Sequence, residues 1–140
     1  MAIIGFSLTK ILLERKETPI RKIEVKSKLQ LPSMEKQEVK LVEGRDTLKF
    51  NFEYDIEYSP ELASISFKGF VLFASDPKHT EEIMKEWKKS KKINKEMQTQ
   101  IYNFIFNKCN IKALQFEEDF NLPPHLQLPQ IKIEDIQDKK

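Results

Sequence analysis

The sequence predicts an α+β domain: a four-stranded antiparallel sheet packed on one long C-terminal helix, with a short helix before it. Three observations carry this. From Leu48 to Tyr58, the residues Leu48, Phe50, Phe52, Tyr54, Ile56 and Tyr58 alternate without a break against Lys49, Asn51, Glu53, Asp55 and Glu57. Successive side chains on a strand point to opposite faces, so this run has one apolar and one wet face. Strand-like segments come first and helix-like segments follow from Asp76 onward, an order that suits an antiparallel sheet rather than a doubly wound parallel one. Finally, Asp76-Pro77 opens a helix with a cap residue and a proline at its first position, where the missing N–H is not needed.

Ile3 to Arg15 reads as the first strand. Phe6, Leu8 and Leu12 share one parity while Ile11 and Leu13 take the other. Either both faces are partly buried or a bulge shifts the register. Lys16 to Arg21, with Pro19, is a short polar connection. The second strand runs from Lys22 to Leu31, with Ile23, Val25, Leu29 and Leu31 on one face. Pro32 and Ser33 interrupt it, and Glu35 to Val42 resumes as an extended segment with Val39 and Leu41 in phase. Glu43 to Asp46 turns into the third strand, and Ser59-Pro60-Glu61 turns out of it.

Leu62 to Ala74 is the fourth strand. Beyond Gly69 both parities are apolar (Phe70, Val71, Leu72, Phe73), so this half is expected to be covered on both faces. Gly69 marks a bulge or a close backbone approach. The short helix reaches about Lys89. The longer one runs from Asn94 to about Glu118, with Met97, Ile101, Phe104, Ile105, Lys108, Cys109, Lys112 and Ala113 near the 3.6 period. Phe106, Ile111, Leu114 and Phe116 broaden its apolar surface. Asn121 to Pro129 contains three prolines and is not helical. It reads as an extended arm whose Leu122, Leu126 and Leu128 want burial. One domain is expected over 1–134, with a flexible tail at 135–140.

The chain has 140 residues and a net charge of +2, so no global polyanion-binding signature is present. Three glycines leave little scope for phosphate-cradling loops. Cys109 is the single cysteine, which excludes an internal disulfide and a multi-cysteine metal site. No apolar run reaches membrane-spanning length, and Met1-Ala-Ile-Ile-Gly-Phe lacks a basic leader. A cytoplasmic protein without membrane insertion is expected.

Candidate chemistry is sparse. His79 and His125 have no ligands at metal spacing. Glu53, Asp55 and Glu57 form a row, but Lys26, Lys49 and Lys68 are plausible partners across the sheet, and the row reads as a solvated face. Glu117-Glu118-Asp119 stands where the helix dipole disfavours negative charge; either the helix stops earlier or a basic group meets the cluster. Cys109 reads as a small core residue. Lys85, Lys88, Lys89, Lys91, Lys92 and Lys95 surround Trp87 in sequence. They could contact phosphates, although no exposed aromatics are interleaved with them, and a solvated helix face is the simpler reading. No enzyme activity and no cofactor are expected. Surplus apolar surface points instead to self-association or a ligand groove.

Gln100-Ile-Tyr-Asn-Phe-Ile-Phe-Asn-Lys-Cys, followed by Phe120-Asn-Leu-Pro-Pro-His-Leu-Gln-Leu-Pro, resembles the end of SecB-type export chaperones. The upstream order is similar too: Phe6-Ser-Leu-Thr-Lys-Ile, a Lys-Ile-Glu-Val-Lys strand, a very long alternating strand and a Phe/Gly-containing fourth. The resemblance covers about residues 5 to 131, as an order of elements. It implies dimers or tetramers that bind unfolded or extended polypeptide in apolar grooves, without catalysis. Phe6, Leu8, Phe70, Leu72, Leu122, Leu126 and Leu128 would line the client groove or the oligomer surface. Two departures stand out: Lys16 to Arg21 replaces a long crossover, and the pI is near 8.5 where that family is acidic. They bear on docking to a translocase motor rather than on shape. The competing expectations are an interaction or scaffold protein of the same fold, and nucleic-acid contact through Lys85 to Lys95.

Overall fold

A computed structural model describes residues 2–17, 22–60 and 62–126. Four strands come first: β1 (Ala2–Arg15), β2 (Glu24–Gln37), β3 (Asp46–Ser59) and β4 (Ala63–Ser75). Two helices follow, α1 (Pro77–Ser90) and α2 (Lys95–Asp119). The strands form one antiparallel sheet in the order β1-β4-β3-β2. The expected α+β architecture is present. The 135–140 tail, Leu128, Ile131 and Ile133 lie outside the described residues.

The long alternating strand is central. Leu48, Phe50, Phe52, Tyr54, Ile56 and Tyr58 are all buried against both helices. Opposite them in register on β4 stand Phe73, Val71, Gly69, Phe67, Ile65 and Ala63. Each fully buried aromatic contributes roughly 1.5–3 kcal/mol by leaving water. Phe50 meets Trp87 of α1 edge-on, Tyr54 meets Phe106 of α2, and Phe67 stacks on Phe116. The buried residues of α2 are Met97, Ile101, Ile105, Cys109, Ala113 and Glu117, every fourth residue. Four residues overshoot one 3.6-residue turn, so the stripe drifts round the helix and the flanking Phe104, Phe106 and Phe116 share its work. Ile111 falls off this stripe and is exposed.

The parity conflict in β1 is resolved by bulges. Register shifts fall between Ile3 and Gly5 and between Leu8 and Lys10. The second brings Ile11 and Leu13 opposite Phe67 and Ile65, on the face of Phe6 and Leu8, and sends Leu12 to the opposite face. Gly69 lies beside that bulge. A Cβ there would sit 2.2 Å from the Ser7 carbonyl oxygen and 3.0 Å from Phe52. The missing side chain lets the rings of Phe6 and Phe52 stack 5.5 Å apart above the glycine.

Two expectations change. The second strand passes straight through Pro32 to Gln37, with a register shift between Gln30 and Ser33. β2 is an edge strand, so proline removes no interior ladder bond. The extended reading of Glu35 to Val42 ends at Gln37: Val39 and Leu41 lie outside the strand and are exposed, because nothing packs beyond the edge there. The helix starts stand where expected, but Asp76 does not cap α1 with its side chain. Its carboxylate faces Arg45 at 3.9 Å and His79 at 3.3 Å. Asn94 does cap α2, Oδ1 accepting from the Met97 N–H at 2.9 Å.

Candidate functional site

The seven apolar candidates do not share one surface. Phe6 and Leu8 turn toward the helices and pack on the core, Phe6 lying edge-on to Phe104 at 5.7 Å. Leu122 is buried in that same core. Phe70 and Leu72 lie on the opposite, helix-free face. Leu126 is 41% exposed, because His125, its neighbour in the arm, takes the inward position. Leu128 lies outside the described residues.

On the helix-free face, neither Phe70 nor Leu72 is fully covered, so the double coverage expected for late β4 is only partial. Lys49 Nζ stands 4.7 Å above the Phe70 ring, and Leu72 lies over Gly5. Beyond this strip the face is polar. Lys68 pairs with Glu53 at 3.7 Å, Gln30 donates to Glu53 at 3.1 Å, and Lys28 and Lys26 stand opposite Asp55 and Glu57. The carboxylate row is thus a charge-matched face. Beside the strip runs the outer edge of β1, fourteen residues long and without a partner strand among the described residues, with Ile11 40% and Leu12 50% exposed. The other outer edge, β2, carries Pro32 and lysines at 26, 28 and 36, features that discourage strand addition. β1 has bulges but no proline, and one lysine, Lys10.

The best-defined polar constellation joins the arm to α2 and β3. Glu117 continues the four-residue stripe and is buried. Its carboxylate accepts from the Tyr58 hydroxyl, from the His125 backbone N–H at 3.0 Å and from His125 Nδ1 at 2.9 Å. His125 Nε2 faces Asn110 Oδ1 at 2.7 Å, and that oxygen also accepts from the Tyr54 hydroxyl at 2.9 Å. Both imidazole nitrogens are thus engaged, one by the Glu117 carboxylate and the other by the Asn110 amide. Arg15 donates to the Phe120 carbonyl at 2.6 Å, anchoring the arm to β1 as well. Of the two readings of the acidic helix end, α2 does not stop early; a basic group meets it, and that group is His125.

Burial raises the proton affinity of three groups in and beside this cluster. Burial pushes the Tyr54 hydroxyl and the Cys109 thiol each up to about 12. Tyr58 is pushed up first by burial and then by its hydrogen bond to Glu117. The side chains of Glu117 and His125 are 2% and 1% exposed, so solvent and substrate have no path to them. The cluster is a structural clasp. In the sequence Glu117 stood out only within the acidic run at the helix end; its partner, eight residues on in a proline-rich arm, carried no periodic signal.

The lysine run is divided by the fold. Lys88 and Lys89 occupy the last turn of α1, where cations complement the dipole. Lys91, Lys92 and Lys95 instead ring a cavity with Trp87 and Tyr102. Among the described residues, no group of three His, Cys, Asp or Glu is placed to hold a metal ion, and no helix is long and apolar enough to cross a membrane. Compared with known proteins, the chain matches no family model, no curated protein and no solved structure.

Proposed function

We propose that this chain is a self-associating, SecB-like binder of unfolded or extended polypeptide, acting without catalysis or cofactor in the cytoplasm. The observation that carries this reading is the outer β1 edge with exposed Ile11 and Leu12, adjoining the incompletely covered Phe70–Leu72 strip. An edge strand offers a row of backbone donors and acceptors to any extended chain, whatever its sequence. The flanking aliphatic and aromatic groups add affinity without demanding particular partner side chains. The sequence resemblance supports the same reading. The same edge would serve a second copy of the chain, giving a dimer or tetramer.

The test is suppression of aggregation of a chemically denatured client at stoichiometric ratios, with oligomeric mass measured by light scattering. Suppression by an oligomer is expected. A clean monomer that suppresses nothing would sink the proposal. The two bulges in β1 favour a second reading, an interaction protein for one defined partner, since they break the edge into short stretches of fixed register. Binding of one folded partner and no denatured client would select it.

A further inference from the structure

At the opposite corner from the β1 edge, a cavity of about 560 Å³ lies between β2, at its register shift, and the turn joining α1 to α2. This size is within the range of small-molecule sites. Tyr102 supplies aromatic surface to it, with the buried Trp87, 7% exposed, at its floor, Gln98 an amide, and Lys91, Lys92 and Lys95 three cations. Glu86 at its wall is the one acidic lining group, and it is hydrogen-bonded to the Ser90 hydroxyl at 3.1 Å. Lys91 Nζ stands 5.9 Å from the centroid of the Trp87 ring. Among the described residues, none of the three lysines has an ion-pair partner.

Three unpaired cations drawn together round one cavity repel each other, and water screens them only partly within about 10 Å. The α1 dipole accounts for cations at Lys91 and Lys92, just at and beyond its C-terminal end, but Lys95 opens α2, where the dipole opposes a cation. Aromatic surface next to unpaired cations matches a ligand with a planar ring and a phosphate. We propose that this cavity is a nucleotide site, Tyr102 meeting the base and Lys91, Lys92 and Lys95 the phosphate. The nucleotide is either free or one unit of a single strand.

The protein carries its own reporter, since Trp87 is the only tryptophan. Trp87 fluorescence is titrated at low salt with adenosine monophosphate, an eight-nucleotide single-stranded DNA, inorganic phosphate and polyglutamate. Saturable change with the mononucleotide supports a free-nucleotide site; saturation with the oligonucleotide alone supports a strand site. In either case, Lys92→Glu with Lys95→Glu weakens binding at least tenfold and flattens the salt dependence of log affinity by about two. Tyr102→Leu weakens the nucleotide more than phosphate. Both lysines are exposed, so the double variant keeps its fold, checked by circular dichroism. No saturation with either nucleotide ligand, or equal affinity for inorganic phosphate or polyglutamate, overturns the proposal.

Discussion

Replacing Glu117 by Gln tests the clasp with almost no change of shape. The wild-type carboxylate takes three donors: the Tyr58 hydroxyl, the His125 backbone N–H and His125 Nδ1. A carboxamide offers one acceptor oxygen and turns an NH₂ donor toward the same crowd. The Tyr58 hydroxyl still has the Pro123 carbonyl at 2.8 Å, but the His125 backbone N–H and ring then compete for one oxygen with an amide donor beside it. With side chains 2% and 1% exposed, water cannot compensate. Weakening hydrogen bonds to a buried charged group costs about 1.5–3 kcal/mol. At this chain length that lowers Tm by roughly 5–10 °C. The assay is urea unfolding followed by Trp87 fluorescence and far-ultraviolet circular dichroism. Because Glu117 and His125 act as a unit, Glu117→Gln with His125→Gln is expected to cost little more than Glu117→Gln alone. A loss below about 1 kcal/mol for Glu117→Gln, or strict additivity in the double variant, would refute the reasoning.

Other expectations follow from single positions. Gly69→Ala forces a Cβ to within 2.2 Å of the Ser7 carbonyl oxygen; the loss of stability should reach about 1–3 kcal/mol or more, measured by urea midpoint. Gly44→Ala meets no neighbour but keeps a φ of +75°, so its cost is a milder ~1 kcal/mol, and a larger loss than at Gly69 would contradict the packing described. Cys109, fully buried with its thiol pushed up to about 12, should stay unmodified by a thiol reagent at pH 8 and react once per chain in urea. Tyr54 and Cys109 have folded values raised above their ordinary 10.0 and 9.0. The folded chain therefore holds protons that the unfolded chain releases, so their contribution is intact below about pH 9 and is lost as pH rises toward 12. A urea midpoint unchanged between pH 8 and pH 11 would contradict this. Leu12→Glu on the β1 edge should lower oligomeric mass and client protection together while leaving Tm nearly unchanged, since Leu12 is half exposed.

Much of the fold was legible because one face of each strand had to be dry. The Leu48–Tyr58 alternation fixed β3, and the parity conflict at Ile11 and Leu13 signalled the bulge beside Thr9. Gly69 was legible as a point of close approach because no other residue type has that use in a strand. Pro32 misled because proline breaks only a paired ladder, and whether β2 lies at an edge is a property of the whole sheet. Val39 and Leu41 kept the right parity with nothing to pack on. Of the two functional constellations, half of each was visible. Glu117 stood out within the acidic run at the helix end, and the lysines cluster in sequence. Their partners, His125 and Tyr102, come from other elements and meet them only through the tertiary fold.

The sheet order also sets a timetable for synthesis. β1 is made before β4, its partner strand among the described residues, with pairings that run from Arg15–Ala63 to Ala2–Ala74. β3 and β4, by contrast, are joined by a short turn and can zip together as soon as both emerge. At about 5–20 residues per second, a ribosome leaves β1 without its neighbour for seconds. During that time both edges of an apolar strand are open, and Phe6, Leu8 and Ile11 have no helix over them. The nascent chain therefore passes through an interval in which it resembles the extended polypeptides that its finished form is proposed to hold.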